Sequence, residues 1–224
     1  ANALIDPAQR KAARDAYQKD MNALADEART RSILRALYAP DQLREQMTWF
    51  RFNHFNGYAP KRDIRAMVGD YEDTIHTHAL GKFRDLLEAT LRHPAMLRYL
   101  DNDQNSAGHI NENYARELME LHTMGVNSGY TQQDVQELAR ILTGVGVDLK
   151  PDTPKLKPQW QPLYVRAGLF EFNPARHEFG DKHRLGHAIK GRGFAEVEEA
   201  LELIASSPAT AHHVALRIAA SFMG

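Results

Sequence analysis

Between residues 111 and 122 the chain reads Asn-Glu-Asn-Tyr-Ala-Arg-Glu-Leu-Met-Glu-Leu-His, and here charged and amide side chains crowd together as a binding or catalytic surface would require. On a helical period Glu112, Arg116 and Glu120 fall at i, i+4 and i+8, beside Asn113 and Glu117. One chemistry open to this face makes Glu117 a base or ligand, Arg116 an anchor for an anion, and Asn113 an orienting hydrogen-bond partner, with Asn111 and Glu112 as further binding groups. The plainer reading is a helix surface laced by ion pairs worth a few tenths of a kcal/mol each. Asn111, Asn113 and Tyr114 are middling helix formers, which suggests that their donors and acceptors are in use.

A second reactive group lies in a proline- and glycine-broken segment, where His177 has Glu178, Asp181 and Lys182 close by in sequence. Loops held by a rigid scaffold often carry chemistry. A His177-carboxylate pair reaching to Glu117 or Glu120 would bind a divalent metal ion or act as an acid and base. His54, set between Phe52 and Phe55, reads first as a core histidine and second as a ligand. From Asp101 to Glu112, oxygens at Asp101, Asp103, Asn105 and Glu112 follow part of the spacing of a calcium loop, but Ser106 stands where that loop needs glycine. The ordinary alternative has Asp101 capping or turning the chain. His76 with His78, and His212 with His213, are spaced for surface or packing roles.

The elements that must position these groups are helical. Asp6-Pro7 makes an N-cap for one long helix to about Tyr38, broken once at most. Pro40-Asp41 starts another, ending near Asn56-Gly57; a third follows Pro60 up to Gly81, and Phe83 to Leu91 forms a fourth. Pro94 opens a short apolar turn. The motif helix follows, with Ile110, Tyr114, Leu118 and Leu121 as its apolar stripe, and then Gly125 and the Asn127-Ser128-Gly129 turn. Helices over about 131–142, 194–205 and 208–222 complete the set. Pro151, Pro154, Pro158, Pro162 and Pro174 interrupt every helical period between 145 and 192. That stretch is a long irregular loop or at most a small β-hairpin, with Leu169 to Phe172 as its best strand. The expectation is one predominantly helical, all-α domain with a single irregular excursion.

Composition narrows function more than it names it. Twenty-eight Lys and Arg against 29 Asp and Glu leave a net charge of -1, no electrostatic reason to expect nucleic acid or an anionic membrane. No apolar run is long enough to span a bilayer, and the start of the chain lacks the pattern of a signal peptide. Zero cysteines exclude disulfides and thiolate chemistry. Phosphate-cradling, dinucleotide-binding, serine-elbow and His-Glu-x-x-His motifs are not present.

Longer blocks point further: Trp49 to Phe55, Ala95 to Asn102, Asn111 to His122, Tyr130 to Val135, Ala139 to Gly144 and Phe170 through Lys182. In this order they resemble the bacterial family called domain of unknown function 1800, across most of residues 40 to 190. The resemblance implies a mostly helical, exported protein of the periplasm or cell exterior, about twice this chain in length, so that N- and C-terminal parts would be missing here. It implies no activity. One departure falls at Gly144-Val145, where the family pattern has an aromatic residue after Thr-Gly. Two functions stay open: a hydrolase or lyase with a His/carboxylate site, and a non-catalytic cell-envelope binding or assembly protein whose polar motif is a structural hydrogen-bond network.

Overall fold

The computed structural model describes residues 6–57, 61, 63–126 and 128–223. Pro60 and Asn127, read above as turn residues, lie outside them. Helix α1 (Pro7–Tyr38) is unbroken and capped by Asp6, whose Oδ1 accepts the Ala8 amide at 3.1 Å. Helix α2 (Gln42–His54) is capped in the same way by Asp41, which accepts the Arg44 amide at 3.1 Å. A short helical turn over Ile64–Ala66 leads into α3 (Val68–His78), so the third helix starts later than the sequence suggests. In α4 (Phe83–Arg92) the apolar positions Leu86, Leu87 and Leu91 fall on one face, and that face is buried. Pro94 takes the first position of α5 (Pro94–Tyr99), where its missing N–H costs nothing.

The motif segment departs from the expected single helix. Helix α6 (Asn113–Glu117) widens at once into a π-helical turn over Leu118–His122. The extra residue rotates the apolar stripe: Tyr114, Leu118, Met119 and His122 are buried, while Ile110 and Leu121 are 41% and 46% exposed. Helix α7 (Gln132–Ile141) begins with a reciprocal cap between Thr131 and Asp134.

The irregular excursion holds more order than one hairpin. Strands β1 (Val145–Val147), β2 (Val165–Ala167) and β3 (Phe170–Phe172) form an antiparallel sheet in the order β1-β3-β2, with Val145 and Val165 both opposite Phe172. A second ladder pairs β4 (Lys182–Arg184) with β5 (His187–Ile189). Helices α8 (Phe194–Ala205) and α9 (Pro208–Met223) follow. The fold is therefore mainly helical, with two small antiparallel sheets. Its core joins Ile75, Leu86, Leu91, Leu97, Leu118, Leu138, Phe172 and Val197, so both the helices and the three-stranded sheet pack into one apolar cluster. No helix of the described residues is long and apolar enough to cross a membrane.

Candidate functional site

His177 sits just past a helical turn (Pro174–Arg176) at the end of β3, with its ring between Phe172 and Phe179 at centroid distances of 5.0 and 4.8 Å. Gly144 permits the approach: its φ is +80°, and a Cβ there would stand 2.6 Å from the Asn173 carbonyl oxygen. Thr143 is thereby brought against the imidazole, with its carbonyl 2.8 Å and its hydroxyl 3.1 Å from Nδ1. On the opposite side Nε2 lies 3.0 Å from Glu196 Oε1. Glu196 also accepts the Gly193 amide at 2.8 Å and, through Oε2, the Lys182 ammonium at 2.5 Å. The side chains of His177, Lys182 and Glu196 have no solvent exposure. Burial alone would raise the Glu196 carboxyl, but the bonds from His177, Lys182 and Gly193 outweigh it and hold it below the ordinary carboxylate range.

The motif helix faces elsewhere. Arg116 reaches Glu112 at 3.1 Å, Glu120 at 3.3 Å and Gln132 at 2.8 Å, in a network that is partly open to water. Asn111 and Asn113 fasten backbone: Asn111 Oδ1 accepts the Asn113 amide at 3.0 Å, and Asn113 donates to the Leu100 carbonyl at 3.1 Å. Glu117 makes no hydrogen bond or ion pair among the described residues. Partial burial and the nearby Glu120 push its carboxyl up, against the pull of Arg116. The would-be calcium loop is folded for another purpose. Asp101 takes a left-handed conformation and bonds Lys61 at 2.7 Å. Asn105 is spent on Asn102, the Ala139 carbonyl and the Asn111 amide, and Glu112 on Arg116 and Gln132. No group of three or more His, Asp or Glu among the described residues is arranged to hold a metal ion.

His54 is a buried histidine, with Nε2 2.8 Å from the His122 carbonyl and Nδ1 without a partner. The π-helical turn carries His122 inward, and the two rings lie 6.3 Å apart. Burial, then the charges of Arg217 and Arg51 and the nearby His213, lowers His54 to about 4 against the opposing bond to His122; burial, His54 and Arg217 lower His122 to about 3. Arg51, also buried, lies over Phe50 and Phe83 with Nε and Nη1 unpartnered.

The structure thus brings His177 to Lys182, but not to the motif helix, because both imidazole nitrogens are turned to Thr143 and Glu196. His54 belongs to a separate cluster. Sequence reasoning missed Glu196, whose signal is a carboxylate three residues after Gly193 at a helix start. It also missed His122 and Arg51, and the cleft between α1, α2 and α3 where Glu45 and Glu72 stand.

Residues 2–224 match the family described as protein of unknown function (DUF1800), and the chain belongs to that family. Comparison with curated proteins and with solved structures gives no match.

Proposed function

We propose that this chain is a non-catalytic binding or assembly module of the bacterial cell envelope, in which a buried hydrogen-bond network of Thr143, His177, Lys182 and Glu196 holds the 145–192 excursion to the helices. The reading rests on one observation: the only polar groups around His177 and Lys182 with described bonds are already each other's partners, at zero exposure. A general base must reach the proton it abstracts, and an enclosed, saturated imidazole does not. The amides of Asn102, Asn105 and Asn113 support the same role, since each spends its donors on backbone carbonyls. Placement in the periplasm or outside the cell follows from the family resemblance, as does assembly with further N- and C-terminal parts of the same protein.

The test is the response of His177→Gln. A scaffold role predicts a lower Tm and new protease cleavage within 170–192; unchanged Tm and protease resistance would remove the reading. The second reading, a hydrolase or lyase, keeps one observation in its favour, the half-buried and unpartnered Glu117 carboxyl with its raised pKa. It requires turnover of a chromogenic ester, amide or glycoside that Glu117→Gln abolishes.

A further inference from the structure

A cleft of about 310 Å³ opens between α1, α2 and α3, walled by Trp49, Phe52 and Thr48 and by the carboxylates Glu45 and Glu72. Glu72 is only 8% exposed, lines this cleft, and makes no hydrogen bond or ion pair among the described residues. A carboxylate so little exposed, lining a cleft and with no described counterion, is a place where a cation can bind. Glu45 bonds His76 through Oε1 at 2.9 Å, leaving Oε2 without a described partner. The arginines of α1 nearest to α3 do not supply the charge, because Arg35 and Arg31 both pair with Asp73, at 2.8 and 2.9 Å. Among the described residues no Lys or Arg lines the cleft.

We propose that this cleft binds an organic cation, a primary ammonium or guanidinium on a short alkyl chain, with Glu72 as its counterion. The acid sits at the buried end, and the aromatic faces of Trp49 and Phe52 receive the alkyl part and the cation's flank. A bare metal ion would leave those apolar walls unused, and an anion would meet two carboxylates. The volume suits one such group and no extended polymer. This deepens the binding reading and rests on it only for its purpose.

Trp49 and Trp160 are the two tryptophans of the chain, so in a Trp160→Phe background fluorescence reports Trp49 alone. Pentylamine and agmatine should change that signal saturably, whereas pentanol should not. Glu72→Gln should weaken both by at least about tenfold, as loss of a charge-assisted bond implies, while circular dichroism stays that of the folded chain. A lysine-containing peptide and its acetyl-lysine form separate the two sources: binding by the first alone marks a side chain of a protein partner, and binding by the free amine alone marks a small molecule. Equal titrations in Glu72→Gln, or a response to pentanol as large as to pentylamine, would overturn the proposal. Should Glu72→Gln not fold, Glu45→Gln must weaken the amine instead. The failures are distinguishable, because turnover of a bound amine would remove the non-catalytic reading and leave the site standing.

Discussion

Two buried histidine clusters in this molecule use similar residues and reach opposite electrostatic solutions. Around His177 a single acid, Glu196, faces both an imidazole and an ammonium, and every bond closes inside the protein. Around His54 two imidazoles and the guanidiniums of Arg51 and Arg217 gather with no carboxylate among the groups that shift its titration. In the first cluster Glu196 is held as a bonded carboxylate; in the second the imidazoles of His54 and His122 stay neutral. Buried polarity is therefore stable in two ways, by pairing or by discharge, and the two respond differently to mutation and to pH.

The comparison breaks most sharply at Glu196. Glu196→Gln takes from the buried Lys182 ammonium its nearest carboxylate, leaving only Glu178 at 4.0 Å, and should cost about 3–5 kcal/mol in urea unfolding. Lys182→Met added to it should recover part of that loss; if it does not, the pairing argument for this cluster fails. Acid should expose the second cluster. The folded pKa of His54, about 4, lies below the unfolded value, so the unfolded chain binds the proton first and stability falls as pH drops from about 6.5 toward 4. The loss from His54 is on the order of 3 kcal/mol, and His54→Leu should lessen the slope in that window, leaving the part that belongs to His122. Glu196 acts with the opposite sign of charge but the same direction in acid: its depressed pKa gives stability that disappears only as pH falls below the ordinary carboxylate range. A titration of urea midpoints should therefore resolve the histidine step above the carboxylate step.

A smaller effect is expected at Gly144, where alanine would strain a positive φ and press on Asn173, moving Thr143 off His177. Its cost should be about 2 kcal/mol, with the 170–192 protease sites opening first. Smallest of all is Arg116→Ala, which removes a partly exposed network and should change stability by less than about 1 kcal/mol. A larger loss there would make the motif helix a third cluster of the paired kind.

Local signals made the helical frame legible. Asp6-Pro7, Asp41, Thr131 with Asp134, and the Pro94 start all act through neighbours within a turn, and those helices begin where the caps stand. The β-excursion was partly visible through its prolines, but its three-stranded sheet pairs Val145 with Phe172 across an interval that no local pattern encodes. The site was less legible for the same reason. His177 and Lys182 stand out together in the sequence, yet the acid they share comes from α8 beyond the loop. The expected partner helix is not reached because both imidazole nitrogens of His177 are taken by Thr143 and Glu196, while the π-helical turn after Glu117, invisible in the residue types, turns His122 inward. Glu45 and Glu72 meet only through the packing of α2 against α3.

That wide turn at Leu118–His122 has a consequence for chain length. It stores one residue more than regular winding needs, so a deletion of one of the five would tighten the coil to an ordinary α-helix and leave the chain downstream in nearly its present direction. Related sequences should therefore accept a one-residue gap between Leu118 and His122 more readily than one inside the regular helices α4 or α7.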